Sequence, residues 1–321
     1  MKNKRARAVL AASTGGHLAQ LHRLLPHLDI ADDPLWITFE NAQSKSLLKD
    51  EKHVMYLPYI ASRDWRTAGR TFKQIRKELR RQPYDLVFST GAAIAVPVFL
   101  AAATTGISRY YLESVSRFDG PSLTGKIVAK IPGTQLYTQH SGWANNRWRL
   151  GPSVLDEYYL VPENKSQKDR LKIFVTLGTI KPYRFDRAID AILANFGAHE
   201  IVWQLGATSR TDITGYSTEM MDAAEFDFHV ETSDVVITHA GVGSALRIMD
   251  LGKTPVLVTR HKAYGEHVDD HQEQITRELT RRGLGYELEL ANVNPGVLGS
   301  AMVSKPVLGL PTKEYDLQAT N

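Results

Sequence analysis

One stretch near the start of the chain decides the fold of its first half: Ala6-Arg7-Ala8-Val9-Leu10-Ala11-Ala12-Ser13-Thr14-Gly15-Gly16-His17. An apolar strand enters a turn with two glycines, and residues 18–28 then have the apolar spacing of a helix. Glycines at such a turn let a ligand approach the backbone, and the free amides at the helix start favour negative charge. The third glycine of a dinucleotide fingerprint is missing, so the turn indicates a site for a phosphate or a carbohydrate oxygen rather than for NAD.

The alternation of strand and helix continues outward from this turn. Helices are predicted at 18–28 and 65–82, and strands at 6–12, 35–39, 53–57, 86–89, 109–112 and 135–137. The pattern restarts in the second half, with strands predicted at 171–176, 200–205, 234–238 and 254–259. This order is typical of parallel sheets covered by helices on both faces, so we predict two α/β domains in tandem.

A polar stretch at 139–168, with glycines and prolines, interrupts the alternation. We place the domain junction inside it and predict one domain at 1–160 and a second at 168–305. The final segment, 306–321, contains Pro306 and Pro311 and little periodicity, which predicts a tail.

The composition is that of a globular protein, with 321 residues of which 43% are hydrophobic and 23% are charged. The chain has no cysteine, which excludes disulfides, iron–sulfur clusters and a cysteine nucleophile. No apolar signal core follows the basic N-terminus, and the longest apolar run, 94–103, is too short to span a bilayer. We therefore expect a cytoplasmic protein, either soluble or peripheral on the inner face of the cell membrane.

The net charge of +4 is unevenly distributed, because eight arginines and lysines lie between Arg63 and Arg81. Phe72, Ile75 and Leu79 lie at helical spacing in that segment, which predicts one amphipathic basic helix. Its basic face is either simply solvated or meets an anionic membrane surface or a diphosphate. A nucleic-acid partner is not expected, because no recognised module with stacking aromatic residues accompanies the charges.

His17 is the first candidate for chemistry. It lies in the first turn of its helix, where the positive end of the helix dipole disfavours the imidazolium form. A neutral imidazole can accept a proton and act as a base, and a capping or packing histidine is the alternative.

The second half contains a matching turn, in which the apolar strand at 234–238 leads into His239-Ala240-Gly241-Val242-Gly243-Ser244. Amides at the start of the following helix, with the hydroxyl of Ser244, predict a second anion site that suits a diphosphate.

Residues 265–272 read Gly-Glu-His-Val-Asp-Asp-His-Gln at what reads as another helix start. His267 and His271 are four residues apart and would share a helix face, as metal ligands often do. Carboxylates that cap amides, or polar side chains that hold sugar hydroxyls, are the alternatives, and we predict neither a metal nor a cofactor here.

In their order along the chain, these motifs resemble those of MurG-like GT-B glycosyltransferases, especially the two-subunit enzymes that elongate lipid-diphosphate sugars. The acceptor half of that family is matched by residues 13–17, 89–91, 111–117 and 122–126, and the donor half by 175–179, 204–206, 239–244 and 270–272. The resemblance spans residues 6 to 285. It implies the GT-B fold, in which two tandem Rossmann-like domains with parallel sheets face each other across a cleft.

The resemblance also implies roles for individual residues. The domain at 1–160 would bind the acceptor, with His17 as general base and Glu113 as a second catalytic residue, although a buried ion pair of Glu113 with Arg117 is an alternative. The implied acceptor-binding residues are Gly15, Gly16, Gly91, Ser114 and Arg117. The domain at 168–305 would bind the donor through Thr176, Gly178, Thr179, Gln204, His239, Gly241, Gly243, Ser244, Glu266, Asp270, His271 and Gln272.

The implied reaction is a metal-independent transfer, with inversion, from a UDP-sugar to a saccharide acceptor, expected to be linked to polyprenyl diphosphate, in bacterial surface or exopolysaccharide synthesis. Galactose, glucuronic acid and N-acetylglucosamine all remain open as the sugar, and Arg63, Arg66 or Arg260 are candidates for recognising an acidic one. A UDP-sugar epimerase of the same architecture and a non-catalytic partner subunit are the alternatives.

One position departs from the family pattern. Arg247 lies where the family often has a glutamate that binds the ribose, and Glu266 is a candidate to replace it.

Overall fold

The computed structural model describes residues 5–59, 65–166, 168–179, 181–213, 215–267 and 271–309. These residues form two compact units, the first ending at Asp156 and the second beginning at Glu157. Each unit is an α/β domain with its own parallel sheet. The predicted fold class, two parallel-sheet α/β domains of the Rossmann type, is therefore confirmed.

The first unit alternates strands with helices along most of its length. Its strands are β1 Ala8–Ala12, β2 Leu35–Phe39, β3 Val54–Leu57, β4 Leu86–Gly91, β5 Ser108–Leu112, β6 Thr134–Thr138 and β7 Trp148–Leu150. Its helices are α1 Gly16–Leu24, α2 Ala42–Leu47, α3 Trp65–Leu79, α4 Ala95–Ala103 and α5 Leu123–Val128, with short 3-10 turns at Leu25–His27 and Ser141–Trp143.

The strands of this unit form a seven-stranded sheet in the order β3-β2-β1-β4-β5-β6-β7, and the paired strands run parallel. All five residues of β1 and of β2 are buried, as expected for strands covered on both faces. Ile75 and Leu79 of α3 pack into the core beneath the sheet, which explains their helical spacing in the sequence.

The second unit repeats this plan with fewer strands in its main sheet. Its strands are β8 Tyr158–Pro162, β9 Lys172–Thr176, β10 Glu200–Gln204, β11 Ser217–Thr218, β12 Val235–His239, β13 Pro255–Val258, β14 Tyr286–Glu287 and β15 Ser304–Leu308. Its helices are α6 Asp186–Phe196, α7 Ala223–Thr232, α8 Val242–Asp250, α9 His271–Arg281 and α10 Gly296–Met302, with a 3-10 turn at Lys262–Tyr264.

The main sheet of the second unit has six parallel strands in the order β11-β10-β9-β12-β13-β14. Apolar clusters cover its two faces, one around Ile173 and Ile237 and the other around Phe174 and Val236. β8 and β15 form a separate antiparallel pair, which joins the beginning and the end of the unit.

The end of the chain differs from the predicted tail at 306–321. Residues 306–308 belong to β15, in which Pro306 pairs with Leu160. Proline lacks a backbone donor, which is why it reads as a break in the sequence, but an outer strand tolerates the missing hydrogen bond. The remaining residues of the predicted tail, from 310 on, lie outside the described ranges.

None of the helices in the described ranges is both long enough and apolar enough to cross a membrane.

Candidate functional site

The candidate residues of each unit gather at the carboxyl end of its parallel sheet. Strand order reverses between β1 and β4 in the first unit and between β9 and β12 in the second. In open α/β sheets, ligands bind outside the carboxyl ends of the strands at such a reversal. The two glycine turns predicted from the sequence follow β1 and β12, so both lie at a reversal point.

His17 is held by the backbone of the neighbouring strand end. Its Nδ1 lies 2.6 Å from the carbonyl oxygen of Thr90, and the hydroxyl of Thr90 donates to the carbonyl of His17 over 2.8 Å. Because a carbonyl only accepts, the ring proton must reside on Nδ1, which leaves Nε2 of the neutral ring with a free lone pair. Burial lowers the pKa of His17 below its usual value, so the ring is neutral near pH 7.

Two glycines make this arrangement possible. Gly15 and Gly91 have φ angles of 92° and 102°, which disfavour any other residue. A Cβ atom on Gly91 would lie 3.1 Å from Nδ1 of His17, so only glycine gives the ring this much room. Gly16 is the first residue of α1, and no side chain caps that helix start.

Glu113 is fully buried just beyond β5, and its carboxylate is held by several donors. Oε2 accepts hydrogen bonds from the amide and the hydroxyl of Ser122 at 2.9 and 3.0 Å. Oε1 accepts from the amide of Ser114 at 3.1 Å and from the hydroxyl of Tyr111 at 3.3 Å. These bonds tie the loop after β5 to the start of α5, so the observed contacts of Glu113 are those of a positioning residue.

A buried amide network that the sequence did not indicate supports the same loop. Oε1 of Gln20 accepts from the amide of Val115 at 3.0 Å and from Nε2 of Gln139 at 3.1 Å. Nε2 of Gln20 donates to the hydroxyl of Ser114 at 3.2 Å. The side chains of Gln20, Ser114 and Gln139 come from three distant parts of the sequence, so no local signal could have identified the network.

An open pocket of about 440 Å³ brings four of the seven first-unit candidates together, whereas Gly15, Gly16 and Gly91 do not line it. It contains His17, Glu113, Ser114 and Arg117, four of the residues singled out from the sequence. The other lining residues are Ser13, Thr14, Phe39, Tyr59, Ala92, Ala93, Ser116, Ser122, Leu123 and Thr124. The lining is rich in hydroxyls and has a basic and an acidic side chain, which suits a polar ligand with hydroxyl groups.

In the second unit, His239 is the last residue of β12 and fills the space between two glycine turns. A Cβ atom on Gly178, whose φ is 76°, would lie 2.6 Å from Nε2 of His239, and one on Gly241 would also overlap the ring. Burial, together with the charge of Arg260, lowers the pKa of His239 to about 4. The ring is therefore a neutral packing group at pH 7.

The turn after β12 leads into α8, which begins with Val242 and has Gly241 before it. No side chain caps this helix start, so the first-turn amides near Gly243 and Ser244 offer donors to a ligand. The anion site that the sequence predicted at this turn stays a prediction.

Thr176 and Gln204 end β9 and β10 and are opposite each other in the sheet. Both side chains are buried, and within the described part of the chain neither Oγ1 of Thr176 nor Oε1 of Gln204 has a hydrogen-bond partner. Thr179 is exposed just beyond β9. The structure thus places these three candidates at the same sheet edge.

Glu266 already has partners inside the unit. Its two oxygens accept from Nε and Nη2 of Arg187 at 3.0 and 2.9 Å, and Oε2 also accepts from the amide of His261 at 3.0 Å. Arg247, at the departure from the family pattern, forms an ion pair with Asp227 of α7. The geometry therefore shows Glu266 in an ion pair, and a role for it toward ribose stays a prediction.

Of the remaining candidates, Gln272 is buried in the first turn of α9, and its Oε1 accepts from the amide of Arg260 at 3.4 Å. His271 is the first residue of α9, and Asp270 lies outside the described residues. Across the ranges that are described, no group of three or more potential metal ligands occurs.

Known proteins are similar to the second unit in sequence and to most of the chain in fold. Residues 172–295 match the glycosyltransferase family 28 C-terminal domain. The chain is 24% identical over 234 residues to the UDP-N-acetylglucosamine–N-acetylmuramyl-(pentapeptide) pyrophosphoryl-undecaprenol N-acetylglucosamine transferase of Geobacter metallireducens, a match that covers 67% of this chain and 62% of that protein.

Two solved structures illustrate the similarity in fold. MurG of Acinetobacter baumannii superposes with a TM-score of 0.58 at 16% identity and covers 92% of this chain and 89% of its own. The UDP-GlcNAc 2-epimerase of Methanocaldococcus jannaschii gives a TM-score of 0.59 at 13% identity, with coverages of 92% and 91%.

The two Rossmann-like units, each with a glycine turn at a strand end, define the fold class, which is GT-B. The sequence match is more specific, because it makes the second unit a glycosyltransferase family 28 C-terminal domain. The predicted resemblance to MurG-like GT-B glycosyltransferases is therefore confirmed.

Proposed function

We propose that this protein transfers a sugar from a UDP-sugar to a saccharide acceptor carried on a polyprenyl diphosphate. The observation that carries the proposal is the hydrogen bond from Nδ1 of His17 to the carbonyl of Thr90, since it leaves Nε2 as a base beside an open polar pocket. The family 28 domain in the second unit supports the donor class. The Geobacter relative is named for a UDP-sugar donor and a lipid-diphosphate acceptor.

In the proposed reaction, an acceptor hydroxyl in the first-unit pocket attacks the anomeric carbon of the donor. Nε2 of His17 takes the hydroxyl proton as the new carbon–oxygen bond forms, and the bond to the UDP oxygen breaks. A single displacement of this kind inverts the anomeric configuration. General base catalysis typically contributes about 10²- to 10⁴-fold to the rate.

The departing UDP carries the developing negative charge. In this proposal the uncapped amides at the start of α8, after Gly241, stabilise that charge as hydrogen-bond donors. Helix-start amides supply the stabilisation that a divalent cation supplies in other enzymes, so we propose that the reaction is metal-independent.

The direct test is an assay of UDP release with UDP-GlcNAc, UDP-galactose and UDP-glucuronate, each with and without a polyprenyl-diphosphate-linked saccharide. Acceptor-dependent release with one donor, unchanged by EDTA, and a product of inverted configuration are expected. Conversion of the donor to an epimer without any acceptor would support the epimerase instead. If no donor gives either reaction, the alternative of a non-catalytic partner subunit is favoured.

We also propose that α3 contacts an anionic membrane surface. Arg66, Arg70, Lys73 and Lys77 are exposed and follow each other at intervals of three or four residues, so they lie along one face of the helix. The opposite face contributes buried Ile75 and Leu79. Arg63, the first residue of the predicted basic segment, lies outside the described residues.

Sedimentation with vesicles tests the membrane proposal. Binding to vesicles with anionic lipid, weakened by salt and by Arg70→Gln with Lys73→Gln, is the expected result. Lys49→Gln with Lys52→Gln, two exposed lysines of the same unit outside α3, is the matched control. Equal loss of binding in both double variants would contradict a specific role for α3.

A further inference from the structure

The guanidinium of Arg260 is buried at the carboxyl edge of the second unit. The residue lies just beyond β13 and has no exposed surface. One of its nitrogens, Nη2, donates to the carbonyl of Leu177, at the end of β9. Its central carbon lies 5.2 Å from the centre of the Phe185 ring. The side chain therefore reaches from one strand end toward the glycine turn after another.

Two nitrogens of this guanidinium donate no hydrogen bond to any described residue. Within the described ranges, Nε and Nη1 are buried and have no hydrogen-bond partner. Unpaired charged donors in a protein interior are unfavourable, and native structures rarely keep them without a reason. Burial lowers the pKa of Arg260 only to about 10, so the group is still charged at pH 7.

The carboxylate whose charge acts on Arg260 does not satisfy its donors. Glu266 contributes favourable charge, but its oxygens accept from Arg187 and from the amide of His261. Arg187 thus takes the ion pair that Arg260 would otherwise form. Among the described residues, no carboxylate oxygen accepts a hydrogen bond from the guanidinium of Arg260.

Two more buried groups at this edge point to the same ligand. Oγ1 of Thr176 and Oε1 of Gln204 have no hydrogen-bond partner among the described residues. Together with Arg260 they form a set of unpaired polar atoms, donors and acceptors, at the ends of three strands of one sheet. An anionic ligand with hydroxyl groups has the chemistry to satisfy all of them.

We propose that Arg260 is an anion receptor of the second unit, in addition to the amides of α8, and binds a negatively charged group of the nucleotide-sugar donor. The inference rests on the proposed function for the identity of that donor. The receptor requires adjacent anionic oxygens, which the diphosphate of any nucleotide sugar or the carboxylate of a uronic acid supplies. A planar guanidinium with two free donors matches either group.

The test is a series of titration-calorimetry measurements with uridine, UMP, UDP, UDP-glucose and UDP-glucuronate. Wild type is compared with Arg260→Met, which keeps the length of the side chain, and with Arg260→Lys, which keeps the charge but not the fork. Arg281→Met, at an arginine of the same unit paired with Glu278, is the control. Loss of charged hydrogen bonds predicts affinity about 10- to 100-fold weaker in Arg260→Met for the ligand that carries the recognised group.

The first ligand in the series whose affinity falls in Arg260→Met identifies the group that Arg260 binds. A loss that begins at UMP or UDP assigns Arg260 to the phosphates, and a loss confined to UDP-glucuronate assigns it to the sugar carboxylate. Equal affinity of Arg260→Met and wild type throughout, or an equal loss already at uridine, overturns the proposal, because uridine has no anion. Failure of the wild type to bind any of these ligands would refute the proposed function itself, and the receptor role with it.

Discussion

At the scale of single residues, the tautomer of His17 is set by a main-chain carbonyl rather than by a side chain. We therefore expect the general base to need only the imidazole of His17 and no second side chain to orient it. We expect His17→Gln, whose amide can still donate to Thr90, to lower kcat by about 10²- to 10⁴-fold with the affinity for UDP unchanged.

The measurement is acceptor-dependent UDP release together with a UDP titration of the same sample. His22→Gln, on the same helix but outside the pocket, is the control. Full activity of His17→Gln would refute the assignment of the base.

The pH dependence of activity follows from the burial of His17. Because burial lowers the pKa of its imidazole, the neutral form persists below pH 6.5, the usual histidine value. A profile of kcat against pH should therefore stay level through pH 6.5 and fall only at lower pH. A fall that is centred above pH 7 would show that another group limits the reaction.

His239 makes a prediction about stability rather than activity. The pKa of its ring is about 4 in the folded protein and about 6.5 when unfolded, so the unfolded chain binds the proton first as pH falls. The free energy of unfolding should decrease between pH 6.5 and 4, by on the order of 3 kcal/mol from this group. Denaturant unfolding of wild type and His239→Asn at several pH values in this range measures the effect. If the free energy of unfolding changes equally with pH in both proteins, the prediction is wrong.

The sequence indicates His17 because its role depends on a local signal, a glycine turn at a helix start. It does not indicate Gln20 and Gln139, because each becomes significant only when distant strand ends meet. The sequence indicates Arg260 only as one of three arginines that could recognise an acidic sugar. Only its burial and the ion pair between Arg187 and Glu266 set it apart.

At the scale of elements, the contact between α5 and the end of β5 depends on Gly125. A Cβ atom there would overlap Oε2 of Glu113. Although alanine favours a helix more than glycine does, we expect the overlap to dominate, so that Gly125→Ala lowers the free energy of unfolding by about 1–3 kcal/mol. Urea denaturation measures the change.

Gly142→Ala is the control for this prediction, because nothing lies within 4 Å of the added methyl group. If the two variants have the same midpoint, the contact between Gly125 and Glu113 does not hold the loop.

Elements with a strong local pattern are predicted from sequence with little error. β2, Leu35–Phe39, has the predicted bounds, since a β-branched and aromatic run lies between polar residues and turns. β8 is missed because it lies in a stretch that reads as a linker. Its partner β15 is about 140 residues away, and no local pattern reports a pairing of that range.

At the scale of the whole molecule, the second unit closes on itself. β8 begins it and β15 ends it, and the side chain of Thr254 donates to the carbonyl of Ser304 at 2.7 Å. We expect a fragment that starts at Glu157 to fold alone and to be stabilised by UDP, because binding to the folded state raises the melting temperature.

A shorter fragment, 157–303, supplies the comparison, because it lacks β15 but keeps the residues at the carboxyl edge of the sheet. It should melt at a lower temperature than the longer fragment. Identical melting temperatures would mean that the pair of β8 and β15 adds nothing to the unit.

The boundary between Asp156 and Glu157 also has an evolutionary consequence, because it interrupts no strand. A coding sequence divided at this point would yield two polypeptides, each with its parallel sheet intact. Splitting one gene at this point, or joining two genes here, would therefore leave the strand pairing within each product unchanged. The same architecture can therefore be inherited as one gene or as two, as in the two-subunit enzymes that the motifs resemble.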